Sequence, residues 1–469
     1  MAASLRDSVR AGAGAGLSLI LALGCSGGGG AAPATGTGGR ADGGGVAGSG
    51  GAPGSGGGGG MTTDGHSGSG GAGAAGAAGG ADGGLSGSGG APGAGSGGAS
   101  DGGGDAPAGV DSGPEVDPAS SPWTGTWASS PQGCGGGFNG RTMREIVHTS
   151  IGGSAARVRI SNTFSGGQLQ LRDVHLAQRT QGASIDPATD KALTFNGQPD
   201  VTIPAGMYAV SDGAPFTVKP LSDVAVSFFV IANNGATCHQ SGFQTNYSAA
   251  GNVVGAATLA NTENNTSYFF LSNLDVQNPA AEGAVVALGA SITDGYVAPT
   301  DANRRWPNDL AVRLVNGNRV VGVLNQGISG DGADNAISRF ARDVLSQPNV
   351  KWVIFSDNTI NDLGNANPPA QTEIDRMKTM IDMAHAKGLK FICSTLTPFA
   401  GANYWSPDKE PKRAMIIDFI KSAGSGCDGI VDQDTATHDP ANPSHYLPAY
   451  NQGDNLHPNT AGLQAIADA

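Results

Sequence analysis

The stretch that decides the fold runs from Ala284 to Gly295 and reads Ala-Val-Val-Ala-Leu-Gly-Ala-Ser-Ile-Thr-Asp-Gly. Its first five residues form a short apolar run that ends at Gly289, a pattern typical of a strand buried on both faces of a parallel sheet. Ser291 follows at once. Because ligands of open α/β sheets bind at the carboxyl ends of the strands, Ser291 stands where a nucleophile would stand. A catalytic serine also needs a base and an oxyanion site, which other segments must supply.

Residues 280–469 alternate between strand-like and helix-like segments. Strands are predicted at residues 285–288, 320–324, 352–355, 389–395 and 429–431. Helices are predicted from Trp306 through Leu314, over residues 336–345, 373–386 and 412–423, and after Pro458. Five parallel strands with crossover helices predict an α/β domain with a three-layer, doubly wound, flavodoxin-like sheet.

Polar residues follow the predicted strand ends, and the parallel topology brings them to one edge. Asp454 and His457 are three residues apart, so one turn places the carboxylate beside the imidazole. The carboxylate can then orient the imidazole, which takes the proton of the Ser291 hydroxyl. The Gly330 N–H, the Asn361 amide and the Ser291 N–H supply three donors for a developing oxyanion. The predicted catalytic residues are therefore Ser291, Asp454 and His457, with Gly330 and Asn361 in the oxyanion site.

These blocks resemble the SGNH (GDSL) hydrolase family, in the order Gly289-Ala-Ser291, Gly330, Asn361-Asp362 and Asp454-Asn-Leu-His457. The resemblance spans residues 280–469, and residues 122–469 look like the two-domain bacterial members, in which a β-rich domain precedes the hydrolase. It implies ester hydrolysis without metal or organic cofactor. It also implies the same roles for the five residues.

Two departures from the family pattern support a second hypothesis. The usual Gly-Asp-Ser is here Gly-Ala-Ser with Ala290, and the usual Gly-x-Asn-Asp has Thr359 in place of its glycine, with one apparent extra residue upstream. The first departure removes a carboxylate beside the nucleophile, and the second crowds an oxyanion loop. The alternative function is therefore a catalytically weak or inactive SGNH-fold protein that binds glycans or acts at a surface.

Residues 122–279 show short alternating runs separated by turn residues, as in Ala156-Arg-Val-Arg-Ile-Ser161. Many short strands at regular spacing predict a β-sandwich or jelly roll. We favour a packing and spacing role for this accessory domain over carbohydrate binding, because its sequence pattern shows no row of exposed aromatic residues.

The N-terminal segments predict export. Residues 1–25 combine two arginines, an apolar run too short to span a bilayer and Ala-Leu-Gly-Cys25, which resembles a bacterial lipobox; a plain secretory signal is the other reading. Residues 26–121 are rich in Gly, Ala and Ser and predict a disordered tether. The predicted location is the bacterial cell envelope, with a lipid on Cys25 as membrane anchor, or the exterior as a secreted protein. The predicted partners are an ester substrate, including acylated carbohydrate, and this membrane.

Charge and cysteine content bound the remaining function classes. The tether carries eight acidic residues against Arg40, about half of the formal net charge of −13, and no basic patch indicates nucleic acid. Cys134 and Cys238 are candidates for a disulfide, while a disulfide and buried free thiols remain equally open for Cys393 and Cys427. No Cys-x-x-Cys spacing supports a zinc or redox site.

Several polar or aromatic residues near the strand ends suggest roles other than catalysis. The histidines at 438, 445 and 457 match no standard metal-ligand spacing. Asp331 and Asp362 are expected to cap loops and not to catalyse. Tyr404 and Trp405 are expected either to overhang the substrate or to pack.

Overall fold

The computed structural model describes residues 123–469, which lie within one compact unit. The predictions of a signal segment with lipid attachment at Cys25 and of a disordered tether over residues 26–121 lie outside the described residues. Within residues 123–469, no helix is both long enough and apolar enough to cross a membrane.

Residues 123–277 form a region built almost entirely of strands, here called the β-rich region. Its strands are β1 Trp123–Ala128, β2 Gln132–Gly133, β3 Arg141–His148, β4 Gly153–Ser161, β5 Leu169–Gln181, β6 Ser184–Ile185, β7 Lys191–Ala192, β8 Asp200–Ile203, β9 Tyr208–Val210, β10 Ala214–Val218, β11 Asp223–Ala232, β12 Thr237–His239, β13 Asn246–Ala250, β14 Glu263–Asn265, β15 Tyr268–Phe269 and β16 Leu271–Gln277. One 3-10 turn, Pro187–Thr189, follows β6.

Two large antiparallel sheets enclose the core of the β-rich region. One has the order β1-β16-β4-β10 with β9 beside β4, and the other has the order β14-β13-β3-β11-β5-β6 with β7 and β8 beside β5. Alternate residues of both sheets, such as Val158 and Ile160 of β4 and Val226 and Phe228 of β11, are fully buried in one shared cluster. A small third sheet, β15-β12-β2, is attached to this pair.

Residues 283–469 form the α/β region. Its strands are β17 Gly283–Gly289, β18 Val321–Gly327, β19 Val350–Phe355, β20 Lys390–Ser394, β21 Gly429–Val431, β22 His438–Asp439 and β23 Asn442–Tyr446. Its helices are α1 Ser291–Asp294, α2 Trp306–Asn316, α3 Ala333–Phe340, which continues as a π-helix over Ala341–Leu345, α4 Asn358–Asn365, α5 Ala370–His385, α6 Glu410–Lys421, α7 Gln433–Thr437 and α8 Thr460–Asp468.

The five main strands of the α/β region form one parallel sheet in the order β18-β17-β19-β20-β21. All seven residues of β17 are buried, as expected for a central strand covered on both faces. The carboxyl ends of β17, β18 and β19 are adjacent because Leu288 pairs with Gln326 on one side and with Phe355 on the other. Residues that follow these strands therefore meet at one edge of the sheet.

Each predicted strand of the α/β region is present, and the predicted long helices are present with shifted ends. The helix predicted over 336–345 begins at Ala333, and its last five residues adopt π-helical geometry. The short helices α1, α4 and α7 and the hairpin β22–β23 are not predicted from the sequence. These elements have few apolar residues, so they lack the periodicity that identifies longer elements.

The β-rich region packs directly against the α/β region along β1 and β18. Gly125 of β1 lies against Leu324, and a side chain at Gly322 would collide with the Gly125 carbonyl, so the two glycines permit a close approach of the strands. Polar contacts add to this interface. The Ser150 hydroxyl accepts a hydrogen bond from Val323 N at 2.9 Å, and Arg159 donates to the Ser346 carbonyl at 2.9 Å.

Two disulfides link described residues. Cys134 is bonded to Cys238 of β12, which is the pairing considered from the sequence. Cys393 of β20 is bonded to Cys427, so the free-thiol reading of these two residues was wrong. The strand order explains the second pair, because β20 and β21 are neighbours and Cys427 lies just before β21.

Buried Glu373 on α5 makes stability depend on pH. Burial, together with the nearby Asp362 carboxylate, raises the pKa of Glu373 to about 7 despite the opposing effect of Arg376. The unfolded chain releases this proton near the ordinary pKa of 4.5, whereas the folded chain holds it until about 7. Stability is therefore lost as pH rises through this window, by up to about 3 kcal/mol from this group.

We expect Glu373→Gln to remove that loss. Urea unfolding at pH 5 and pH 8 should show a smaller decline in the free energy of unfolding for the variant than for the parent protein. Glu263→Gln is the matched control, because the Glu263 side chain is 74% exposed. An equal decline in Glu373→Gln and the parent protein would contradict this role of Glu373.

Candidate active site

Ser291 is the first residue of α1, directly after the central strand β17. Its hydroxyl lies 2.9 Å from His457 Nε2, and the serine is only 9% exposed. Gly295, with φ of +93°, ends this one-turn helix in the left-handed conformation. A side chain at Gly289 would clash with Thr293 and Asp357, so the tight strand-to-helix turn requires glycine there. Ser291 is thus held on a short, rigid turn at the sheet edge.

His457 and Asp454 form the next two members of a linear arrangement. His457 Nδ1 lies 2.6 Å from Asp454 Oδ2, and the backbone N–H groups of His457 and Leu456 donate to Asp454 Oδ1 at 2.8 and 2.9 Å. Burial alone would raise the pKa of Asp454, but these hydrogen bonds outweigh burial and leave the pKa below its ordinary value. An ionised Asp454 keeps the imidazole proton on Nδ1, which leaves Nε2 free to accept the Ser291 proton.

Gly330 lies in the loop after β18 and Asn361 lies in α4, and hydrogen bonds join these two segments to each other and to the nucleophile segment. Gly330 has φ of +84°, and the neighbouring Asp331 carbonyl accepts a hydrogen bond from Asn361 Nδ2 at 3.0 Å. The backbone N–H of Ile328, in the Gly330 loop, donates to the Gly289 carbonyl at 3.1 Å. The Ser291 N–H opens α1 and so has no intrahelical acceptor. The three candidate oxyanion donors, Ser291 N–H, Gly330 N–H and the Asn361 amide, therefore lie on segments that contact one another.

Tyr404 helps to orient Asn361. Burial raises the pKa of Tyr404, so its hydroxyl stays protonated, and it lies 3.4 Å from Asn361 Oδ1. Gly364 makes room for the Tyr404 ring, because a side chain at that position would clash with it. Tyr404 thus contacts a site residue, whereas Trp405 packs against the core of the α/β region.

A carboxylate stands beside the nucleophile despite Ala290. Asp357, between β19 and α4, accepts hydrogen bonds from Ala290 N at 2.9 Å, Ile292 N at 2.7 Å and the Thr293 hydroxyl at 2.6 Å. It is 3% exposed. From the sequence, the segment around Asp357 is interpreted as an apparent insertion, and this role of Asp357 is not predicted. The residue type gave no signal, because the contact joins segments more than sixty positions apart.

Asp294 links the nucleophile turn to the oxyanion loop. Its Oδ2 accepts from the Ser329 backbone N–H at 2.9 Å and from the Ser329 hydroxyl at 2.7 Å. Its Oδ1 lies 2.9 Å from Nε2 of His239, which belongs to β12 of the β-rich region. Neither Asp294 nor His239 was singled out from the sequence.

Asp331 and Asp362 each have a partner in the fold. Asp331 is paired with Arg339 at 2.7 Å, and Asp362 accepts from Ala333 N, in the first turn of α3, at 2.7 Å. Arg339 also donates to the Gly289 carbonyl at 3.0 Å, so this buried arginine supports the turn before the nucleophile. Among residues 123–469, no group of three or more His, Cys, Asp or Glu side chains is arranged to hold a metal ion.

An exposed aromatic ring flanks the candidate base. Tyr296, which is 44% exposed, packs on the His457 ring with 4.5 Å between ring centroids. Its position one residue after Gly295 follows from the end of α1.

A comparison with protein-family models matches residues 287–465 to the GDSL-like lipase/acylhydrolase family. The α/β region is a GDSL-like acylhydrolase domain. The matched range begins in β17 and ends in α8, so it contains the Ser291, Gly330, Asn361 and His457 segments. This domain, which a β-rich region precedes, is therefore similar to carboxylic ester hydrolases.

A comparison with solved structures gives matches of low sequence identity. They include a lipolytic protein of the G-D-S-L family from Desulfitobacterium hafniense, with 23% identity, 40% of this chain and 97% of that chain covered, and a TM-score of 0.33. An acylhydrolase from Bacteroides fragilis has 22% identity, 40% and 84% coverage, and a TM-score of 0.32. An acetyl xylan esterase from Geobacillus stearothermophilus has 19% identity, 40% and 92% coverage, and a TM-score of 0.31. A comparison with curated proteins gives no match.

Proposed function

We propose that the protein is an exported serine esterase that cleaves short acyl esters, with Ser291 as nucleophile, His457 as general base and Asp454 as its orienting partner. The observation that carries this proposal is the continuous hydrogen-bonded line from the Ser291 hydroxyl through both ring nitrogens of His457 to Asp454, with distances of 2.9 and 2.6 Å. A serine, an imidazole and a carboxylate in this order match the arrangement that activates a hydroxyl for acyl transfer.

The chemistry follows from these positions. His457 Nε2 takes the hydroxyl proton as Ser291 Oγ attacks the ester carbonyl carbon, and Asp454 stabilises the imidazolium that forms. The tetrahedral intermediate expels the alcohol, which receives the proton from His457 Nε2. Water then attacks the acyl-serine with His457 again as base, which releases the carboxylic acid and restores the Ser291 hydroxyl.

The oxyanion of each tetrahedral intermediate would be bound by the N–H groups of Ser291 and Gly330 and by the Asn361 side-chain amide. The hydrogen bond from Asn361 Nδ2 to the Asp331 carbonyl uses one amide hydrogen and leaves the second for the substrate. Preorganised donors of this kind contribute most where charge develops in the transition state.

Tyr296 beside His457 supports a carbohydrate as the alcohol part of the substrate. Tyr296 offers a half-exposed ring next to His457, which suits the face of a sugar ring, since tyrosine combines an apolar face with a polar hydroxyl. Acetyl esters of carbohydrate are therefore the substrates we propose.

Export is part of the same proposal. Two disulfides, Cys134–Cys238 and Cys393–Cys427, are typical of proteins that fold in an oxidising compartment. This supports the N-terminal signal, with the lipid on Cys25 as the proposed anchor in the bacterial cell envelope.

The proposed substrate class is tested with p-nitrophenyl esters of increasing acyl length and with an acetylated polysaccharide. We expect the acetate ester to give the highest kcat/KM, and acetate to be released from the polysaccharide. Tyr296→Ala should weaken hydrolysis of the polysaccharide more than that of p-nitrophenyl acetate. Phe164→Ala is the control, because the Phe164 ring is 45% exposed, like that of Tyr296, but lies against Arg342 and not against a site residue. A preference for long acyl chains would contradict the proposed substrate class.

Nothing in the described residues favours the alternative of a glycan-binding protein without turnover. That hypothesis was based on Ala290 and Thr359. Ala290 lacks a carboxylate, but the Asp357 carboxylate accepts hydrogen bonds from the residues on either side of Ser291. Thr359 is buried at the start of α4, away from solvent.

A further inference from the structure

His239, a residue of the β-rich region, contacts α1, the helix that begins with Ser291. This residue ends β12 and is 6% exposed. Its Nδ1 lies 3.1 Å from the Ser130 carbonyl, and its Nε2 lies 2.9 Å from Asp294 Oδ1. A carbonyl oxygen only accepts, so Nδ1 carries a proton and donates to Ser130. The ring is thereby fixed with Nε2 facing Asp294.

Asp294 passes this contact on to the oxyanion loop. The carboxylate is 2% exposed, and its second oxygen accepts both hydrogen bonds from Ser329. Ser329 precedes Gly330, whose N–H is a proposed oxyanion donor. Asp294 is also the last residue of α1, the helix that begins with Ser291. One carboxylate thus sets the position of the donor loop relative to the nucleophile.

Other contacts hold His239 and its partner Ser130 in place. Cys238, the preceding residue, is bonded to Cys134, and β12 pairs with β2 on one side and β15 on the other. The Ser130 hydroxyl donates to Gln326 Oε1 at 2.6 Å and accepts from Arg339 at 3.1 Å. The β-rich region therefore holds the His239 imidazole in a fixed position against buried Asp294. A domain that only separates the hydrolase from the membrane would not need this contact.

We propose that His239 is a positioning residue for ester hydrolysis, supplied by the β-rich region, which holds Asp294 and through it the Ser329–Gly330 loop in the geometry that binds the oxyanion. This rests on the proposed function of the site. The accessory region is then part of the catalytic unit. Its contribution acts on the transition state, because the oxyanion donors are used most when the carbonyl oxygen becomes charged.

Two substitutions separate the two hydrogen bonds of His239. His239→Gln places an amide N–H near the position of Nε2 and keeps the bond to Asp294, whereas His239→Asn places one near Nδ1 and keeps only the bond to Ser130. The control is His175→Asn, because His175 forms a similar pair with Asp190 at 3.0 Å elsewhere in the β-rich region. All variants are made in the full chain, and thermal unfolding is measured for each.

We expect His239→Asn to lower kcat for p-nitrophenyl acetate by about 10- to 100-fold with little change in KM, which is less than the roughly 10²–10³-fold loss when an oxyanion donor itself is deleted. His239→Gln should retain most of the kcat, and His175→Asn should match the parent protein. The rate of Ser291 labelling by a fluorophosphonate should follow the same order, since that reaction also develops charge on an oxygen.

Equal kcat for the Gln and Asn variants and the parent protein would overturn the role of His239, and so would losses of kcat that merely track losses of thermal stability in both variants. Ser329→Ala removes the hydroxyl hydrogen bond to Asp294 within the hydrolase domain. This variant tests the proposal if His239→Asn fails to fold. It should lower kcat several-fold, and an unchanged kcat would also overturn the proposal. Absence of turnover and of labelling in the parent protein would instead overturn the proposed function, and this inference with it.

Discussion

Ser291→Ala is expected to lower kcat for p-nitrophenyl acetate by roughly 10⁶-fold, as for loss of the nucleophile in other serine hydrolases that use a His and an Asp. The variant keeps Asp454, His457 and the donor loops, so substrate should still bind and KM should change little. The residual rate would come from the oxyanion donors and substrate binding alone. Because Ser291 is almost fully buried and has a small side chain, the substitution should leave stability nearly unchanged.

The measurement is steady-state hydrolysis together with labelling by a fluorophosphonate and identification of the labelled peptide. Ser338→Ala is the control, because the Ser338 hydroxyl lies on α3 and bonds only the Asn335 carbonyl. We expect label on Ser291 in the parent protein and in the control, and none in Ser291→Ala. A variant that retains a rate within about tenfold of the parent would show that another group is the nucleophile.

The sequence predicted the residues that follow each strand because parallel strands have a simple geometry. Once β17, β18 and β19 were recognised by their apolar runs, Ser291, Gly330 and Asn361 had to lie at the same edge of the sheet. His457 and Asp454 could be added because their spacing and the following proline are local signals. The fold and the candidate site were therefore accessible wherever a local pattern determined the position of a residue.

The supporting contacts could not be predicted in this way. His239 and Asp294 are 55 positions apart in the sequence and belong to different regions, and nothing in the local pattern of β12 indicates a histidine that faces a distant acid. The Cys393–Cys427 disulfide likewise depends on β20 and β21 being neighbours. Such contacts are determined by packing between elements, which composition and periodicity do not describe.

Asp357→Ala is expected to impair both stability and catalysis. The substitution removes the acceptor for two buried backbone N–H groups, those of Ala290 and Ile292, and each buried donor left without a partner costs about 1–3 kcal/mol. We therefore expect a loss of roughly 2–6 kcal/mol in the free energy of unfolding. These two N–H groups flank Ser291, so the Ser291 N–H should also lose its fixed direction, with a fall in kcat of about 10²–10³-fold.

Urea unfolding and steady-state kinetics measure the two effects. Asp357→Asn should behave almost as badly, because an amide has one acceptor oxygen and would turn its own N–H groups toward donors. Asp382→Ala, on the exposed face of α5, is the matched control and should leave both quantities unchanged. Normal stability and kcat in Asp357→Ala would mean that the nucleophile turn is held by other contacts.

The same carboxylate explains what Ala290→Asp should do. The family's usual aspartate at this position would bring a second carboxylate next to Asp357, which is 3% exposed, and like charges at close range in a buried site are unfavourable. Ala290→Asp alone should therefore lower stability and should not raise kcat. The double variant Ala290→Asp/Asp357→Ala should recover part of the stability and part of the kcat that Asp357→Ala loses, since the new carboxylate at position 290 can then accept hydrogen bonds from the nucleophile turn. Residues in contact are expected to couple. If the effects of the two single substitutions on stability and kcat simply add in the double variant, the two carboxylates do not substitute for each other.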